Sequence, residues 1–135
     1  MAKVISIGTP VNDSERKTIA HLRDNLSDGY TILHNFELLV GNQAFEIDLA
    51  VIAPHAVYLV DVKSTRGTIS VYAGKWFPEG RPPFASPLGK LRQHARVTKS
   101  MLVGSPERAD MKQVYVDAIA ILTAEDAFVN DPSGA

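Results

Sequence analysis

The clearest pattern of apolar and polar positions runs from Phe45 to Lys63, FEIDLAVIAPHAVYLVDVK. Two runs rich in Val, Ile, Leu, Phe and Tyr flank Ala53-Pro54-His55-Ala56, which predicts two strands and a tight turn. Pro54 suits the second position of a type I turn, so a four-residue loop is expected. That loop sets Ile52 opposite Val57, Ala50 opposite Leu59 and Asp48 opposite Asp61. Tyr30 to Val40 reads as a preceding strand, joined through Gly41-Asn42-Gln43. Thr68–Tyr72 and Lys75–Phe77 read as a second hairpin closed at Ala73-Gly74. Gln113 to Leu122 reads as a largely buried strand, and Lys3 to Ile7 as a short edge strand.

Two segments carry the helical period instead. Asn12 with Glu15 three residues later is a capping-box-like start, and Ile19, Leu22 and Leu26 supply an apolar stripe that ends at Asp28-Gly29. Ser86 caps and Pro87 opens a second helix to about Val103, with Leu88, Leu91, Ala95, Thr98 and Leu102 facing inward. Between the elements, Pro78–Pro87 holds four of the eight prolines and reads as a loop. Gly104–Asp110 is a polar loop, and the chain turns acidic and small after Thr123. The expected fold is α/β: a mixed central β-sheet flanked by helices, one on each side of the hairpin in sequence.

Length and composition change this picture little. The 135 residues make one domain, 1–135, with 45% hydrophobic and 21% charged residues. There is no cysteine, which excludes disulfides and thiolate metal sites. No apolar run approaches membrane-spanning length and no signal-peptide pattern opens the chain, so the expected location is the cytoplasm. The ending Pro132-Ser133-Gly134-Ala135 resembles a cut in a linker, as in the N-terminal part of a longer protein.

Charge is more informative. Residues 1–62 carry four Lys/Arg and eight Asp/Glu, residues 63–99 carry eight against Glu79 alone, and residues 100–135 carry two against six. The net −1 therefore hides a +7 block between acidic flanks. A basic block is a footprint for phosphates, and also what a solvated helix face would show. Arg66, Lys90, Arg92, Arg96 and Lys99 are the candidate nucleic-acid contacts.

The candidate chemistry sits in the central hairpin. Opposed residues lie on one face with Cβ atoms about 4.5–5.5 Å apart, so Asp48 and Asp61 would face each other. Lys63, two residues on, lies on the same face, about 6.6 Å further along. Opposed carboxylates repel, and a hard divalent cation, Mg²⁺ or Mn²⁺, would offset that. A lysine beside such a cation can orient water or stabilise charge developing at phosphorus. A plain cross-strand ion pair between Glu46 and Lys63 is equally open on spacing alone.

Glu46-Ile47-Asp48, a hydrophobic strand, Val60-Asp61-Val62-Lys63 and Gly67-Thr68-Ile69 together resemble the nuclease-related domain, NERD, of the PD-(D/E)xK nuclease superfamily. The resemblance runs from the helix near Glu15 to the helix opening at Ser86-Pro87-Leu88. It implies a restriction-endonuclease-like core, with Asp48 and Asp61 as metal ligands and the Val62 carbonyl as a third. It further implies that Lys63 is the catalytic lysine and that Glu15 completes the acidic cluster. Asp61 stands where the family usually has Glu. Ser86-Pro87-Leu88-Gly89-Lys90 departs from the family's Asn-Pro-x-x-Gln, which leaves Gln93 as the nearest glutamine.

No Walker motif, zinc-ligand spacing of the four histidines or Gly-x-Ser-x-Gly elbow is present. The expectation is metal-dependent phosphodiester hydrolysis on DNA. The alternative is a catalytically silent module that binds DNA or a partner protein. Further domains of a full-length protein and a second copy of the chain are the other partners admitted.

Overall fold

The computed structural model describes residues 1–40, 42–103 and 114–131. These described residues form two mixed sheets and two helices. β1 (Lys3–Ser6), β2 (Thr31–Val40), β3 (Gln43–Ile52), β4 (Ala56–Lys63) and β8 (Tyr115–Leu122) form a five-stranded sheet in the order β1-β2-β3-β4-β8. β5 (Thr68–Tyr72), β6 (Lys75–Pro78), β7 (Phe84–Ala85) and β9 (Phe128–Asn130) form a four-stranded one in the order β7-β6-β5-β9. Among the described residues no helix is long and apolar enough to cross a membrane.

The central hairpin forms as its turn residues dictate: Ala53 N–H donates to the Ala56 carbonyl, Ile52 pairs with Val57 and Ala50 with Leu59. The larger sheet buries both faces. α1 (Asp13–Asn25) and its C-cap Leu26 bring Ile19, Leu22 and Leu26 onto a cluster with Ile32, Leu49, Val51, Val60 and Val62. α2 (Pro87–Val103) brings Leu88, Leu91 and Ala95 onto Ile47, Ala50, Leu59 and Ala118. Full burial of a side chain such as Ile32, Ile47 or Leu49 is worth about 1.5–3 kcal/mol.

Both helix starts use the expected caps. Asn12 Oδ1 accepts the Glu15 N–H at 3.0 Å, and Ser86 Oγ accepts the Leu88 N–H at 3.2 Å. α1 stops at Asn25, three residues before the expected Asp28-Gly29, and Ala2 N–H ties down its end through the Arg23 carbonyl.

In a regular strand, residues two apart share a face. β2 and β3 break that rule together. Leu33 and Phe36 lie in the same cluster although three apart, and so do Ile47 and Ala50. The slip falls at Asn35 and Asp48, which lie between the His34–Leu49 and Phe36–Ile47 pairs yet do not pair with each other. Asn35 has φ 54, a left-handed conformation that Asn tolerates better than most residues. Gly8 packs against this kink; a Cβ there would sit 2.5 Å from the Asn35 carbonyl oxygen.

The smaller sheet closes through Ala73-Gly74, with φ 51 and 73, the all-positive pair that a two-residue type I′ hairpin requires. Trp76 is buried there with Ile69 and Val71, its ring centroid 5.7 Å from that of Phe84. It is a packing residue. The Pro78–Pro87 segment is not wholly loop, since β7 pairs with β6. β9 likewise adds a strand where the chain reads as small and acidic. The expected turn residue Gly41, the Gly104–Asp110 loop and Gln113 lie outside the described residues.

Candidate active site

The β3–β4 pairing runs back from the turn as far as Leu49 and Val60. At the next position a side chain takes over: Asp48 Oδ2 accepts the Val62 N–H at 2.9 Å. An extended residue turns its N–H and C=O to the same side, so the Val62 carbonyl faces the β3 side as well. The Asp48 carboxyl is pushed up from 3.8 to about 6. Burial is the largest cause, and the Asp61 and Glu15 charges add to it, while the Val62 N–H bond works the other way. The Asp61 carboxyl is thus close enough to raise the Asp48 value, so the hairpin does bring the two side chains together.

Asp61 Oδ2 is buried, and among the described residues no hydrogen bond reaches it. Lys63 Nζ lies 3.5 Å from that oxygen, close enough for Coulombic attraction and long for a hydrogen bond. The lysine thus pairs along its own strand with Asp61. Glu46, the cross-strand partner expected for it, stands opposite Glu37 on β2, and the β3–β4 pairing ends at Leu49 and Val60, before it reaches Lys63.

Glu15 serves two ends. It sits in the first turn of α1, yet is only 4% exposed. Its Oε1 accepts Asn35 Nδ2 at 2.7 Å and the Val11 N–H at 3.3 Å. The capping reading holds in part, because the side chain reaches back to Val11, one residue before the cap. Through Asn35 it also grips the strand kink beside Asp48. Asn35 carries no motif, but a polar His-Asn pair inside TILHNFELLV, where the apolar spacing slips from two to three, is the sequence signal of the kink.

A cleft of about 490 Å³ opens on the α2 side of Asp61, and Lys90 and His94 line it. Gln93 is exposed and is not among the lining residues. His94 was not expected here; it falls on the inward stripe of α2 between Leu91 and Ala95. It is 8% exposed, its ring centroid lies 4.2 Å from that of Phe45, and its Nδ1 is buried without a hydrogen bond to any described residue. Burial, then the Lys90 charge, lowers its pKa from 6.5 and favours the neutral ring.

The remaining basic candidates are spread out. Arg92, Arg96 and Lys99 are exposed at i, i+4 and i+7 on α2, one outward face. The Tyr115 hydroxyl and the Ala118 N–H, and after them the Arg92 charge, lower the pKa of Asp117 on β8. Arg66 lies apart, beside Lys17, Thr123 and Glu125.

Among the described residues no group of three or more His, Cys, Asp or Glu side chains is arranged to hold a metal. The available donor set is two carboxylates and a carbonyl. That suits Mg²⁺ or Mn²⁺, which take one or two carboxylates and keep several waters. The unbonded Asp61 Oδ2 and the raised Asp48 pKa are what such a cation would relieve.

No curated protein and no solved structure matches the chain. The family model described as nuclease-related domain matches residues 11–123, a span holding the Asp48–Asp61–Lys63 group and both helices. By that match, over most of its length, the chain belongs to the nuclease-related domain family, NERD.

Proposed function

We propose that this domain hydrolyses phosphodiester bonds with a divalent cation, on DNA, from a PD-(D/E)xK nuclease-like core. The observation that carries the reading is the pair of converging carboxylates, one with a buried, unbonded oxygen and the other pushed up to about 6, beside a lysine. Asp48, Asp61 and the Val62 carbonyl would hold Mg²⁺ or Mn²⁺. When bound, the cation supplies neutralisation of charge at phosphorus and a lowered pKa for water. Lys63, anchored by Asp61, orients the attacking water and donates to the oxygen that gains charge. Glu15 positions Asn35, and through it the backbone that carries Asp48. A nuclease-like module that binds DNA without cutting it is the second reading, favoured by the exposure of Gln93 away from the cleft.

The test is plasmid and linear DNA cleavage with Mg²⁺ or Mn²⁺ against EDTA, beside thermal melts of the same samples. Cleavage is expected only with metal. A ligand at a hundred times its Kd stabilises by about 2.7 kcal/mol, so metal should raise the melting temperature. Asp48→Asn and Asp61→Asn should each remove that rise. If both keep the wild-type response, the metal binds elsewhere.

A second expectation concerns the outward face of α2. If Arg96 and Lys99 contact phosphates, replacing both with alanine flattens the salt dependence of DNA affinity. Each lost contact lowers the log–log slope by roughly 0.7–0.9. An unchanged slope places the phosphate contacts on another surface.

A further inference from the structure

The cleft beside Asp61 has more structure than hydrolysis of a phosphate requires. Its volume of about 490 Å³ is in the range of small-ligand sites, roughly 300–1,000 Å³. Phe45 and His94 lie against each other, centroids 4.2 Å apart and tilted by 37°, and Leu91 continues this wall. The exposed Glu46 and Lys90 also line it, and Asp61 connects it to the proposed metal ligands.

A phosphodiester backbone is charged and hydrated along its whole length and does not fill a space with an aromatic and aliphatic wall. The part of a nucleic acid that does is a base, with its π-face and hydrogen-bonding edge. In a duplex the bases are stacked on one another and present only their edges, so a base enters a cleft only when it leaves the stack. The imidazole of His94, almost wholly enclosed, has no hydrogen bond on Nδ1 from any described residue, a polar group built into the cleft wall without such a partner. Lys90, exposed one helical turn before His94, supplies charge for the phosphate attached to such a base.

We infer that this cleft is a subsite for one unpaired nucleotide, its base against Phe45 and His94 and its phosphate at Lys90, so that the substrate class is single-stranded DNA or a frayed end. This rests on the hydrolytic reading for its place in the reaction, but the binding preference it requires does not depend on cleavage.

The experiment measures fluorescence anisotropy of a labelled single-stranded oligodeoxynucleotide and of the blunt duplex of the same sequence, in EDTA. The wild type should bind the single strand roughly tenfold or more tightly than the duplex. Phe45→Leu and His94→Leu keep apolar volume while removing the stacking face or the polar edge. Each should weaken single-strand binding by about tenfold, within the range that loss of base stacking produces, and leave duplex binding unchanged. Lys90→Ala, at an exposed position, should lower the single-strand salt slope by about 0.7 even if a buried variant fails to fold. Equal affinity for the two probes overturns the subsite, and so do variants that weaken both probes alike. A protein that shows the preference yet cleaves neither substrate with metal supports the subsite and overturns the hydrolytic reading.

Discussion

Lys63→Ala is expected to lower metal-dependent DNA cleavage by about a hundredfold or more while barely moving the melting temperature. The two effects separate because they draw on different interactions. In the folded protein Lys63 pairs with Asp61 across 3.5 Å, with the two side chains 38% and 24% exposed. Partly exposed pairs of this kind are worth only about 0.2–1 kcal/mol. A donor placed where charge develops in the transition state is worth far more, about 10²–10³ in rate for a single group. Cleavage rates with Mg²⁺ or Mn²⁺, measured beside thermal melts, distinguish the roles. Cleavage that survives the substitution removes Lys63 from the mechanism. A large fall in melting temperature would make it a structural residue.

The second large effect is a pH-dependent gain in stability for Asp48→Asn. The Asp48 carboxyl ionises near 3.8 in an unperturbed state and near 6 in the fold. Below the lower value it is protonated in both states, and the favourable contribution is fully present. As pH rises, the unfolded chain ionises first, so stability is lost through the window and is gone above the folded value. Asn keeps an oxygen for the Val62 N–H and cannot ionise. At pH 7 in EDTA the variant should therefore be the more stable protein. The shift alone would correspond to about 3 kcal/mol. Because the carboxyl is only half-buried, solvent screening reduces this to roughly 1–2 kcal/mol. Near pH 4 the advantage should shrink toward zero. Excess Mg²⁺ should reverse the order at pH 7, since proton and metal compete for the same oxygens. Denaturant melts at the two pH values check this. A variant less stable than wild type at pH 7, or a difference independent of pH, would show that burial and the neighbouring carboxylates do not raise the Asp48 pKa as described.

Local chemistry made much of the fold legible from the chain alone. Pro54 in a four-residue turn fixed the pairing of Ala50 with Leu59, because a hairpin's register follows from its loop length. Ala73-Gly74 announced the second hairpin, and Ser86-Pro87 the start of α2, through backbone preferences that act within a few residues. The order of Asp48, Asp61 and Lys63 along two strands was enough to bring them to one place, and with Glu46-Ile47, Val60, Val62 and Gly67-Thr68-Ile69 around them to suggest the family. β7 and β9 were not legible, since strands of two and three residues leave no periodicity to read.

What the tertiary structure alone decided is how the carboxylates are held. Strict alternation carries the ladder straight through Asp48, opposite Asp61. In the fold β2 and β3 slip phase together at Asn35 and Asp48, and the Asp48 side chain takes the Val62 N–H that the ladder would otherwise have engaged. That slip depends on a left-handed Asn35, on Gly8 against its carbonyl, and on Glu15 from a helix twenty residues away in sequence. The cleft is the same kind of fact: Phe45, Asp61, Lys90 and His94 belong to three elements, and only the packing of α2 on the sheet brings them together. Sequence pattern records which face a residue prefers, because burial is a property of one side chain. Which side chains then share a site depends on contacts between distant segments, and those exist only once the sheet and both helices have closed around them.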